Sequence, residues 1–222
     1  MKIIQTIIKN KFINGVLWIA GGTAFAQLIN VVISPIITRI YSPGEYGVLS
    51  VYIATVSIIT VAGSFMYEMA IPIADDDEST VNIIMLCIII LLSITIVLSL
   101  LLIIKGDYLL RIFRAEVLLN YKLLIPVGVF FTGLYTIFIQ YAYRHQNFKS
   151  ISRTKGYQSL LQGFVQVLYP FIAPGSLGLI IGRIIGQSAG FLSLANPLLL
   201  DYSKKVSGKS MYIFAKRYIR FP

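Results

Sequence analysis

The chain has 222 residues, 57% hydrophobic and 13% charged, with mean hydropathy +0.80 and a formal net charge of +10. A soluble domain carries about 25% charged residues. Here the apolar residues gather in runs of about twenty, the length that crosses a ~30 Å hydrocarbon core as a helix. A soluble globular domain is therefore excluded, and an all-α, polytopic transmembrane helical bundle is expected. The basic excess would suggest nucleic acid in a soluble chain, but its residues lie between apolar runs and reflect topology instead. With Cys87 the lone cysteine, no intramolecular disulfide is possible, and no metal-ligand cluster is visible.

Six spans are expected. The N-terminus resembles a signal peptide, with Lys2, Lys9 and Lys11 before an apolar stretch and small residues at "AFA" (24–26). The apolar sequence continues through "LINVVISPII" (28–37), so a first span over about Ile13–Ile37 is the better reading. Thr23, Gln27, Asn30, Ser34 and Thr38 form a polar stripe along it. The turn "YSPGEYG" (41–47) leads into span two, about Gly47–Ala74, where Ser57, Thr60, Ser64 and Glu68 line up at helical steps. Span three, about Val81–Ile104, is almost wholly aliphatic and reads as lipid-facing. Between spans two and three lie Asp75, Asp76, Asp77 and Glu78. They read as the start of a helix whose N-terminus negative charge complements, with Ser79 or Thr80 as its cap.

Span four, about Leu123–Tyr143, carries Thr132, Thr136, Gln140 and Tyr143 on one face. His145 follows as a solvated loop residue. Span five, about Gly156–Ala173, carries Gln158, Gln162 and Gln166, extended by Tyr169. "APGS" (173–176) turns the chain into span six, about Leu177–Leu200. There Gly178, Gly182, Gly186 and Gly190 form three overlapping GxxxG units, a smooth ridge for close helix packing. Arg183 and Gln187 lie beside the ridge. Residues 1–202 read as the transmembrane bundle and 203–222 as a basic cytoplasmic segment.

Orientation follows from the Lys and Arg count. The N-terminal tail, the loops after spans two and four, and the C-terminal segment carry three, zero, four and six, thirteen in all; the opposite side carries five. Both termini are thereby expected in the cytoplasm.

Serine and threonine inside a membrane can bond to their own backbone, and helix–helix glue explains them. Three stacked glutamines satisfy themselves less easily, so a polar cavity within the bundle stands beside simple packing as a reading. Glu68 and Arg183 are the two charges well inside spans and are functional candidates by default. Each lies seven residues, about 10 Å, inside opposite boundaries. Separate stations on one wet path fit that depth; a structural pair and snorkelling are the alternatives. Arg39 either extends the positive station or anchors the interface. Arg suits phosphate, and Gln and Tyr suit sugar hydroxyls.

"PIITRIYSPGEYGVLSVY" (35–52), "MYEMAIPIADDDESTVNI" (66–83), "GLIIGRIIGQSAG" (178–190) and "FAKRYIRFP" (214–222) together resemble bacterial polysaccharide flippases. These are the O-antigen and capsule repeat-unit flippases of the multidrug/oligosaccharidyl-lipid/polysaccharide exporter superfamily. The resemblance implies a non-enzymatic inner-membrane exporter of undecaprenyl-diphosphate-linked oligosaccharide. It implies two six-helix bundles around a cationic cavity, of which this chain supplies one lobe, with a missing C-terminal half or a homo-oligomer as partner. No cofactor is implied beyond a proton or sodium coupling ion, for which Glu68 is the candidate. Flipping by the six-span chain alone is not expected, since alternating access needs two bundles. A lipid II or multidrug exporter and a non-transporting scaffold remain open. So does a magnesium-dependent transferase using Asp75 and Asp77.

Overall fold

The computed structural model describes residues 11–64, 66–74 and 76–201. Asp75, the lysines of the tail at 2 and 9, and the basic segment 203–222 lie outside the described residues. Among the described residues there are six long helices and no strand: α1 (Lys11–Ile40), α2 (Pro43–Ser64), α3 (Asp77–Ile112), α4 (Leu124–Arg144), α5 (Phe148–Leu168) and α6 (Leu177–Asp201). Short 3-10 segments lie at Tyr67–Ile73, Glu116–Tyr121 and Tyr169–Phe171.

Local chemistry sets the helix starts. The Ser42 backbone N–H donates to Glu45 Oε2 at 2.7 Å, and Pro43 occupies the first helical position of α2. This is a capping box with a proline whose missing donor costs nothing there. α3 starts on Asp76, whose side chain accepts from the Ser79 N–H at 2.7 Å. The expected cap at Ser79 or Thr80 is therefore one turn late. Ser79 supplies the capped N–H, while the Thr80 hydroxyl donates to Asp76 O. α5 starts on Asn147, which accepts from the Ser150 N–H. That is well before the expected Gly156, so Lys149, Arg153 and Lys155 belong to the helix rather than to a loop.

Span two also differs from expectation. α2 stops at Ser64, Met66 takes a left-handed conformation (φ 54°), and Tyr67–Ile73 is a 3-10 segment. The apolar composition continues through that stretch, but the helix does not. Glu68 is thus not the last member of a continuous α2 face.

Five helices (α1, α2, α3, α4 and α6) are long and apolar enough to cross a membrane. α5 has 21 residues, about 31 Å of helix, and falls short only in apolarity. It packs between α1 and α6. Toward α1, a Cβ on Gly22 would come 2.6 Å from Ser152 Cα, and one on Gly15 would meet the Phe148 ring. α4 packs against α6, α3 and α2, with the Phe138 ring edge-on to Phe191 at 5.1 Å. α3 buries its first turns at Val81, Ile83 and Ile84 and exposes Ile96, Leu100 and Ile104 further along, an aliphatic surface suited to lipid. It kinks at Lys105 (φ −131°), where the apolar run ends.

Candidate functional site

The glycine ridge of α6 and the glutamine stripe of α5 form a single interface. A Cβ on Gly182 would lie 2.5 Å from Gln166 Cγ, and one on Gly186 would lie 3.1 Å from Gln162 Cβ. Gly190 likewise sits under the Gln158 amide, and Gly178 under the Tyr169 ring. Only glycine lets the α5 backbone approach this closely, and the glutamines fill the space.

Gln166 is buried, and its amide donates to Leu179 O at 3.2 Å. Its own carbonyl O accepts from the Tyr41 hydroxyl at 2.8 Å. Gln166 therefore belongs to the packing seam and lines no open face. Gln158 and Gln162 are half-buried, and the Gln158 amide reaches Gln187 Oε1 at 3.3 Å. Thr23, Thr60 and Thr136 each donate to the carbonyl four residues earlier, so their polarity is satisfied within their own helices.

Arg183 projects from the flank of α6 beside the ridge. It sits in a small pocket of about 20 Å³ between α2 and α4, with Tyr52, Ser57, Thr132 and Gln187 around it. Tyr52 lines the pocket with it, and Tyr135 lies in the same neighbourhood. A Cβ on Gly128 would meet the Tyr52 hydroxyl, so this glycine makes the room that Tyr52 occupies. The Tyr52 hydroxyl itself donates to Leu124 O at 2.9 Å. Among the described residues, no carboxylate lies within ion-pair distance of Arg183. A guanidinium surrounded by neutral hydroxyls and amides keeps its forked donors for an anion. The pocket has room for about one water, so an anion would be met at its mouth.

Glu68 is buried in the Tyr67–Ile73 segment, in the neighbourhood of Cys87 of α3. Gln140 of α4 approaches the neighbouring Met69 sulfur at 3.9 Å. The segment's end is held by Arg144, whose Nη1 donates to Ala74 O at 2.6 Å while Nη2 lies 3.7 Å from Asp77 Oδ1. The Arg183 pocket is lined by Gly128 and Thr132 of α4, while Met69, next to Glu68, meets Gln140 further along the same helix. Eight to twelve residues of α4 lie between those levels, about 12–18 Å. The two charges occupy separate depths.

Gln27, Asn30 and Arg39 are exposed on α1. Their stripe meets α5 at Thr23, whose hydroxyl accepts from Lys155 Nζ at 2.8 Å. Lys155, Tyr52 and Tyr135 join the polar groups without having been singled out in the sequence. The Asn147 cap was the signal that puts Lys155 on a helix. Asp76 and Asp77, the described part of the acidic run apart from Glu78, serve as a helix cap and as an ion-pair partner of Arg144. No group of three or more His, Cys, Asp or Glu side chains is placed to hold a metal among the described residues.

No curated protein and no solved structure matches the chain. A family model described as "Polysaccharide biosynthesis protein" matches residues 36–212. That span takes in the Tyr41–Gln166 contact, the glycine ridge, Glu68 and Arg183. This membrane protein belongs to the polysaccharide biosynthesis protein family.

Proposed function

We propose that the chain moves undecaprenyl-diphosphate-linked oligosaccharide from the cytoplasmic to the periplasmic leaflet of the bacterial inner membrane, as a transporter and not an enzyme. It does so as one lobe, opposite a second six-helix bundle or a second copy, with α5 as its sixth crossing and both termini in the cytoplasm. The observation that carries the reading is Arg183. It is a cation on an apolar helix, with hydroxyls and amides about it and, among the described residues, no carboxylate partner in reach. Such a group is costly in a membrane unless it meets water or an anion, and a diphosphate supplies the anion.

The helix arrangement supports the same reading. α1 packs on α5, while α2 packs on α4 and α3, so the two diverge from the Tyr41–Ser42 turn. The α1 stripe of Gln27 and Asn30, the α5 residues Gln158 and Gln162, and Gln187 of α6 supply sugar-binding amides near that opening. Arg39 lies at its outer end. Glu68, on the far side of the same lobe, is the candidate site for a coupling proton or sodium ion.

The test replaces Arg183 by Ala and by Lys in the native host. With the protein at normal abundance, Arg183→Ala is expected to lower surface glycan about tenfold or more, the loss of one charge-assisted contact. Lipid-linked repeat units should build up in the cytoplasmic leaflet, with Arg183→Lys intermediate. Undiminished glycan in Arg183→Ala cells would remove Arg183 from the transport path.

A further inference from the structure

The flank of α1 opposite its polar stripe carries a second feature. There α1 and α5 touch at Gly22 and Ser152 and then part, leaving a trough of about 510 Å³. Its floor is small: a Cβ on Gly21 would have nothing within 4 Å. Its walls are Leu17 and Phe25 on one side and Tyr157 and Leu160 on the other, each about half exposed. Leu17 and Phe25 are eight residues apart, so the trough runs about 12 Å along α1.

Beside the trough, across Trp18, lies a polar compartment of about 360 Å³, lined by Asn14, His145, Gln146 and Lys149. Trp18 lines both spaces, and Lys149 Nζ stands 5.5 Å from the centre of its ring. Arg153 lies one turn further along α5 and lines the trough. No Asp or Glu lines either space. The compartment is also bounded by the start of α5, whose dipole adds positive potential.

We propose that this groove is a binding site for an anionic glycerophospholipid, with one acyl chain in the trough and the headgroup phosphate between Lys149 and Arg153. The match is one of charge and polarity along a single line: cations and hydrogen-bond donors at one end, a tryptophan at the boundary, and an aromatic and aliphatic channel beyond. Basic pockets between helices near a membrane face take anionic headgroups in this way, and tryptophan marks the headgroup level. The groove lies on the other side of the α1–α5 contact from Thr23 and Lys155, so it is separate from the polar face assigned to transport.

Trp18 is the chain's one tryptophan and reports on the site directly. The full chain is reconstituted in phosphatidylcholine vesicles containing a fraction of phosphatidylglycerol brominated on its acyl chains, or the same fraction of brominated phosphatidylcholine. Quenching of Trp18 fluorescence then measures occupancy. Brominated phosphatidylglycerol is expected to quench with a roughly tenfold higher apparent affinity. The double variant Lys149→Gln, Arg153→Gln should lose that preference. Gly21→Leu, which fills the trough, should weaken quenching by both lipids. Equal quenching by both headgroups in the unmodified chain would overturn the proposal. So would a preference that survives the double variant. Relief of quenching by inorganic phosphate in solution would identify a free-anion pocket instead. Relief by undecaprenyl diphosphate alone, with phosphatidylglycerol inert, would make the groove an entry site for the transported lipid and likewise overturn it.

Discussion

Gly182 of α6 lies directly beneath Gln166 of α5: a Cβ added there would come 2.5 Å from Gln166 Cγ and 3.0 Å from the Gln162 carbonyl oxygen. The side chain could shift, but the carbonyl belongs to a helix and cannot. Gly182→Ala is therefore expected to destabilise the protein by about 1–3 kcal/mol through overpacking, against the ~1 kcal/mol that alanine gains over glycine in a helix. Gly47→Ala is the control, because open space surrounds that position. Thermal unfolding in detergent should show a lower midpoint for Gly182→Ala and an equal or higher one for Gly47→Ala. A stabilised Gly182→Ala would mean the ridge does not set the α5–α6 distance.

Arg144 ties the Tyr67–Ile73 segment to α4 through its bond to Ala74 O. Arg144→Met keeps the stem and removes the donor, at an expected cost of about 1.5–3 kcal/mol. Asp77→Asn should cost less than about 1 kcal/mol, because that carboxylate is half exposed and 3.7 Å away. Equal losses in the two variants would show that the ion pair, not the backbone contact, holds the segment.

Tyr41 sits in the turn between α1 and α2, where burial and then Glu45 push its hydroxyl up to about 12 from an ordinary 10. The protonated hydroxyl is the form that donates to Gln166 O. A raised folded value means the contribution is whole below pH 10 and is lost as pH rises through about 12. The stability difference between the unmodified chain and Tyr41→Phe should accordingly shrink between those limits. Chemical unfolding at a series of pH values measures it, and a difference that stays constant to pH 12 would exclude Tyr41 as a hydrogen-bond donor.

Much of this arrangement was legible in the sequence. "SPGE" (42–45) announces a capped helix start. The glutamine and glycine periods were equally plain. Their pairing was not, because a period names a face and not the neighbour it meets. Two boundaries were hidden for physical reasons. Hydropathy continues through "FMYEMAIPI" (65–73) although the backbone turns left-handed at Met66. The cations at Lys149, Arg153 and Lys155 look like loop residues, yet Asn147 caps the helix that carries them.

Glu68 is the candidate site of ion coupling. Glu68→Gln mimics the protonated acid and keeps its shape. If a proton is the coupling ion, a transmembrane pH gradient should no longer accelerate transport in this variant, while ungraded transport persists. A gradient response equal to that of the unmodified chain would assign coupling elsewhere.

The most direct measurement is translocation itself. Vesicles containing the protein and a fluorescent undecaprenyl-diphosphate-linked oligosaccharide are treated with a membrane-impermeant reagent that destroys the fluorophore in the outer leaflet only. For the unmodified chain, in the assembly purified from its host, fluorescence should fall past the outer-leaflet share toward zero. For Arg183→Ala it should stop near that share. Equal, complete loss of fluorescence in both would contradict the role assigned to Arg183, and arrest at the outer-leaflet share in both would contradict lipid-linked oligosaccharide transport by this protein.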